Sequence, residues 1–226
     1  MTPKLPTSFS YSGIKDFEGC QRRFYFVKVE KKYTSAATAA TTYGTQAHEA
    51  FEVYVRDGTP LDPRFAQFEP LIAPLAAMEG EKFCELEMGL AKDFTPRKFD
   101  AADVWLRGIA DYVCLNRQKK TAYVVDYKTG KSARFADVGQ LELMAAMVMK
   151  HAPGIDKVKA GLLFVIANEF IKATFTRGQL PDILSKWAGK IGAIESAWDA
   201  GVWNACPSGL CRFCPVASAD CEHRKE

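Results

Sequence analysis

The sequence predicts an α/β fold whose core runs helix, three strands, helix, strand. Three observations carry this expectation. Residues 83–90, 104–113 and 121–127 are successive strand-like runs, the first alternating apolar with polar side chains and the others rich in β-branched and aromatic residues. Residues 137–149 form a strongly apolar helical segment suited to packing on a sheet. Residues 158–167 and 170–176 add two apolar strands around a short turn at Asn168 and Glu169. The second strand carries Asp111, and the third carries Asp126 with Lys128 just beyond it. A hairpin brings the two acids close, and the period of two sets Lys128 on the strand face of Asp126. Two carboxylates and an ammonium converging there suit a divalent cation held by oxygen. They also suit phosphodiester hydrolysis, in which a metal activates water and a lysine steadies the developing charge. Taken alone, Asp-Xaa-Lys equally describes a salt-bridged strand edge.

The 226 residues, 48% hydrophobic, suffice for one domain with a sizeable core. A net charge of +3 permits a nucleic-acid partner without arguing for one. The opening residues lack the apolar stretch of a signal peptide, and the run 160–167 is too short to span a bilayer. An intracellular (cytoplasmic) protein without membrane association is therefore expected. Seven cysteines in a reducing compartment point to free thiols or metal ligands rather than disulfides.

In chain order, residues 8–19 read as a short helix with Ser12 as N-cap and Phe9, Ile14 and Phe17 as anchors. After Cys20, the basic Arg22, Arg23, Lys28, Lys31 and Lys32 interleave with Phe24, Tyr25, Phe26 and Tyr33. That pattern suits phosphate gripping and base stacking, or an ordinary solvated helix face. Residues 35–42 are a connection or a helix start. Ala47, Ala50, Phe51 and Tyr54 recur at helical spacing and put His48 on a helix of about four turns. Residues 63–80 show helical periodicity with kinks expected at Pro70 and Pro74, and read as an insertion that covers the site or widens its groove.

Along 83–90, Glu85 and Glu87 share one face and Leu86, Met88 and Leu90 the other. Residues 92–102, with Arg97 and Lys98, read as a loop. Gly108 suits close backbone approach or a bulge, and 116–120 is a polar turn. Residues 129–132 look like the tail of a phosphate-binding loop, but Val125 stands where its first glycine is required, which excludes nucleotide binding. Gln140 falls in the first turn of the apolar helix, whose methionines are core filler. Residues 179–198 form a long helix. Cys84 and Cys114 read as buried thiols.

In this order the motifs resemble the PD-(D/E)xK nuclease superfamily, in its RecB-like exonuclease branch. That branch includes the nuclease domains of RecB and AddB and the CRISPR-associated RecB-like exonucleases. Cys20-Gln21-Arg22-Arg23-Phe24 is similar to the branch's Cys-Pro-x-x-Phe segment, with Gln21 in the proline's place. Gly44 to His48 matches Gly-x-x-x-His, and Gly108 to Asp111 matches Gly-x-x-Asp, with Ala110 where the family name has proline. Gln140 to Met144 resembles Gln-x-x-x-Tyr with methionine replacing the tyrosine.

The resemblance implies a restriction-endonuclease-like αβββαβ core with a mixed central sheet, flanking helices and a Cys-rich C-terminal tail. A single domain would span 1–226: an N-terminal helical segment 8–41, a nuclease core 42–176, and a helix with the cysteine cluster 177–226. Magnesium or manganese would be held by His48, Asp111, Asp126 and the Tyr127 carbonyl. Lys128 would orient water or stabilise charge, Gln140 would position the site, and a glutamate of the 83–90 strand would approach the metal or hold basic residues. Arg22, Arg23, Lys131 and Arg134 would touch DNA. The implied activity is a metal-dependent DNA exonuclease of recombination, repair or replication, with DNA and a recombination or replication protein as partners. The competing reading is a non-catalytic DNA-binding or scaffold module, which the presence of His48, Asp111, Asp126 and Lys128 disfavours.

Cys206, Cys211, Cys214 and Cys221 crowd the tail, two of them as Cys-x-x-Cys, a spacing that can wrap a metal centre. Spacing leaves open zinc on four tail cysteines, zinc on three of them with His223, or free thiols. The resemblance implies a 4Fe-4S cluster on Cys20, Cys211, Cys214 and Cys221 that staples the chain ends, with Cys206 spare.

Overall fold

The β-branched and aromatic run Thr121–Lys128 forms the strand on which the molecule is built. A computed structural model describes residues 3–224. Its strands are β1 (Glu81–Leu90), β2 (Pro96–Arg97), β3 (Leu106–Asn116), β4 (Thr121–Lys128), β5 (Lys157–Phe164) and β6 (Glu169–Thr176). They form one sheet in the order β2-β1-β3-β4-β5-β6. The β4–β5 pair is parallel and the others are antiparallel, so the sheet is mixed, as expected.

The parallel pair needs a crossover, and α5 (Gly139–His151) supplies it. Eight of its residues, from Leu141 to Met149, are buried. A fully buried Leu141 or Leu143 contributes roughly 2 kcal/mol of burial free energy. With α1 (Tyr11–Gly19) and α6 (Leu180–Ala200), α5 covers one face of the sheet. The opposite face carries α3 (Ala39–Asp57) and α4 (Glu69–Ala76), packed through Phe51, Val55, Ile72 and Leu75 against Tyr112, Val125 and Tyr127. The Tyr112 hydroxyl donates to the Leu75 carbonyl at 2.8 Å and ties α4 to the sheet.

Several local expectations change. The first helix is capped by Ser10, whose hydroxyl accepts from Gly13 N, and not by Ser12, which lies inside the helix. Pro70 does not kink a helix. It opens α4, where its missing N–H would have no partner anyway; Pro74 lies within the helix. The loop expected at 92–102 contains the two-residue strand β2. Residues 21–29, after Cys20, continue as α2 (Gln21–Phe24) and a π-helical turn (Tyr25–Val29).

The sheet is irregular at one point. Leu106 and Ala110 of β3 face α5, and so do Val113 and Leu115, while Tyr112 and Cys114 face α3. The period of two therefore slips once, around Asp111. On β1, Leu86, Met88 and Leu90 face α5, and so does Phe83, while Cys84 faces α3, so the slip recurs around Glu85. The ladder pairs Cys84 with Tyr112 and Leu86 with Ala110 and omits the residues between. Glu85 takes up the irregularity with a left-handed φ of 49°.

A separate close approach lies at the far end of β1. A Cβ on Gly89 would sit 2.8 Å from the Lys98 carbonyl and 2.8 Å from Val104 Cγ2. Gly89→Ala is therefore expected to destabilise the fold by about 1–3 kcal/mol in urea unfolding; an unchanged midpoint would refute that packing.

Candidate metal and phosphodiester site

Pairing between β3 and β4 runs from Asn116↔Thr121 to Tyr112↔Val125 and stops there. Beyond it, β3 stays with β1 while β4 stays with β5, so the sheet forks. The fork exposes an amide that has lost its ladder partner, and a buried amide must be satisfied. Asp111 does this: its Oδ2 accepts from Tyr127 N at 2.7 Å. The acids at 111 and 126 thus stand at the two lips of one opening.

His48 reaches the opening from α3. Its Nδ1 lies 3.3 Å from Asp111 Oδ2, and its ring meets Tyr127 edge to face at 5.7 Å between centroids. Glu85 arrives from β1. One ligand atom each from His48, Glu85 and Asp111 lie within 4.8 Å of one another. Burial alone would lower the His48 pKa, but the Asp111, Asp126 and Glu85 carboxylates more than offset it and hold the pKa above the usual value. Burial and the Asp111 charge push the Glu85 carboxyl up.

Asp126 projects on the α5 side and is 5% exposed. Its Oδ1 accepts from Gln140 Nε2, and Gln140 Oε1 accepts from Lys128 Nζ at 2.9 Å. Lys128 Nζ also lies 2.7 Å from Asp126 Oδ2. Burial, then repulsion from Asp111, pushes the Asp126 carboxyl up to about 6 despite Lys128 and His48. Three carboxylates and an imidazole around one lysine leave the opening rich in oxygen donors and short of positive charge. A divalent cation fits that donor set.

The structure therefore brings together His48, Asp111, Asp126, Tyr127, Lys128 and Gln140, all singled out from sequence, and adds Glu85. In the sequence Glu85 was one of two acids on a strand face, and nothing there distinguished it from Glu87. Lys131 and Arg134 lie on the exposed connection from Lys128 to α5. Arg22 and Arg23 lie elsewhere, paired with Glu222 (2.5 Å) and Asp16 (2.7 Å).

These arginines flank a cavity of about 400 Å³ lined by Cys20, Cys206, Cys211, Cys214 and Cys221. The tail thus folds back onto the end of α1, and Cys206 belongs to the same wall as the other four. Backbone amides of Cys206 and Ser208 donate to the sulfurs of Cys20 and Cys211. Cys84 and Cys114 sit apart under α3 and α4, where burial raises both thiol pKa values.

Among protein families, the PD-(D/E)XK nuclease superfamily matches residues 8–219. A search of the curated proteins finds no match. Among solved structures, a candidate exonuclease from Eubacterium rectale is similar at 15% identity, with a TM-score of 0.55 over 93% of this chain and 89% of that one. At that identity the likeness concerns the fold. The protein SSO0001 aligns at 13% identity and a TM-score of 0.43, over 99% of this chain and 90% of its own.

The raised Asp126 pKa has a consequence for stability. The folded chain keeps this proton between the ordinary carboxylate range and about 6, where the unfolded chain has released it. Stability conferred by the group therefore falls as pH rises across that window and stays low above it. Without metal, Asp126→Asn is expected to raise unfolding stability at about pH 8 by on the order of 1 kcal/mol, and to change nothing below the carboxylate range. A lower urea midpoint for the variant at the higher pH would contradict this.

Proposed function

The chain belongs to the PD-(D/E)XK nuclease superfamily, and from that premise we propose that it is a magnesium- or manganese-dependent DNA exonuclease of the RecB-like kind, acting in recombination, repair or replication. The observation that carries the reading is the meeting of His48, Glu85 and Asp111 ligand atoms within 4.8 Å, beside Asp126 and Lys128. His48, Glu85, Asp111 and Asp126 would hold the cation, with the Tyr127 carbonyl as a further ligand. When bound, the cation supplies Lewis acidity and lowers the pKa of water.

The chain's own groups do the rest. Asp111 is fixed by the Tyr127 amide, so its second oxygen has a set direction. Lys128 is held by Gln140 and Asp126, and its ammonium would meet the scissile phosphate. There it stabilises the charge that builds on the phosphoryl oxygens and orients the attacking water. Gln140 bridges acid and lysine and keeps both in register. Lys131 and Arg134 lie on the connection that leaves Lys128, in a position to take DNA phosphates.

The same reading covers the tail. Five cysteines line one cavity between the end of α1 and the tail, which supports a 4Fe-4S cluster on Cys20, Cys211, Cys214 and Cys221 that staples the chain ends. The amides directed at the Cys20 and Cys211 sulfurs favour thiolate ligands.

End-labelled single- and double-stranded DNA with magnesium or manganese tests the activity. Asp126→Ala, Lys128→Ala and Glu85→Gln are each expected to lower turnover by about 100-fold or more with the fold intact by circular dichroism. Full activity in the first two would end the assignment. EDTA should stop turnover while DNA is still retained; DNA retention with no metal-stimulated cleavage would favour a scaffold. Anaerobic purification should give a brown protein with iron and sulfide, both lost in Cys214→Ser. Stoichiometric zinc without colour would replace the cluster.

A further inference from the structure

The α3 side of the sheet continues past α3 and α4 onto β5 and β6, and there it meets solvent. Pairing puts Lys157, Lys159 and Gly161 of β5 on this side, opposite Thr176, Thr174 and Lys172 of β6. Phe170 lies opposite Leu163, which lies opposite Tyr127 of the site, so the exposed face begins in the cross-strand row of the metal site. Two strand spacings, about 10 Å, separate Phe170 from Tyr127.

The chemistry of this face is uniform. Its three lysines are exposed and have no ion-pair partner among the described residues. No acid of β4, β5 or β6 points to this side, because Asp126 and Glu169 both alternate to the other. Two rings lie among the lysines. Phe170 is 41% exposed with Lys172 Nζ 4.9 Å from its centroid, and Tyr123 has Lys159 Nζ at 5.7 Å. Gly161 lets the Phe170 ring lie flat, since a Cβ there would meet the ring at 2.1 Å. Lysine on an edge strand blocks edge-to-edge pairing, which accounts for Lys172 on β6. Lys157 and Lys159 sit on β5, which is paired on both sides, so edge protection does not account for them.

We propose that this face binds a single nucleic-acid strand leading to or from the metal site. The lysines take its phosphates, and Phe170 and Tyr123 stack its bases. The ligand class rests on the nuclease reading above. A flat sheet offering ring faces requires bases free of a duplex, so the face selects single-stranded over paired segments. A base stacking on either ring displaces the ammonium that lies over it, and that lysine then turns to the strand's phosphate.

The test uses the full chain in EDTA and a fluorescent oligothymidylate of about 20 nucleotides, read by anisotropy. Lys159→Ser/Lys172→Ser is expected to weaken binding about tenfold at moderate salt, with a salt slope shallower by about 1.4. Phe170→Leu should weaken oligonucleotide binding about fivefold and leave heparin binding unchanged, since heparin has no bases to stack. Wild-type affinity in the lysine variant overturns the proposal. So does equal loss on heparin and oligonucleotide in Phe170→Leu, or wild-type binding of duplex as tight as of single strand. Strand binding that follows this pattern in a protein that cleaves nothing would support the face and remove the nuclease reading. Metal-dependent cleavage with binding unchanged in both variants would remove the face alone.

Discussion

One hydrogen bond, from the Tyr127 amide to the Asp111 carboxylate, makes the working end of this molecule possible. Where β3 and β4 part, each loses a neighbour, and an unpaired amide in that half-buried position would cost free energy. A side-chain carboxylate replaces the missing strand. It closes the ladder electrically while leaving the sheet open, and its other oxygen stays available. The open sheet lets an imidazole from one face and a carboxamide from the other approach the same point, which a continuous sheet would keep apart.

The charge balance follows from that arrangement. Asp111, Asp126 and Glu85 share an opening with one ammonium, and burial together with repulsion from Asp111 raises the pKa values of Glu85 and Asp126. A cation bound there would offset that cost in stability. The left-handed Glu85 belongs to the same pattern, a strained residue where the fold turns a side chain toward the chemistry.

Much of this was legible in the sequence, for identifiable reasons. Asp111 lies within one strongly β-forming run and Asp126 and Lys128 near the end of the next, so their convergence followed from strand pairing. Apolar periodicity puts His48 on a helix and apolar content puts Gln140 in the first turn of another, but it is the resemblance of their motifs to those of the family that points both to the site. Glu85 was only half visible, because strict alternation pairs it with Glu87 and cannot register a slip. Pattern does not tell Ser10 from Ser12 as the first cap, and the bond from Gly13 N to the Ser10 hydroxyl decides for Ser10. The strand order and the bare lysine face depend on which helix covers which strand, and that is settled by long-range packing that local pattern does not encode.

The paired slip at Glu85 and Asp111 constrains how this chain can change length through evolution. Every apolar side chain on either flank is phased by that single step, so one residue gained or lost within β1 or β3 would turn a buried row outward. Insertions and deletions can settle at 99–103, between the strand pair β1–β2 and the buried Val104 and Trp105, where only half-buried or exposed connection is lengthened. Related chains should therefore differ in size there while keeping a fixed count from each strand's slip to its end.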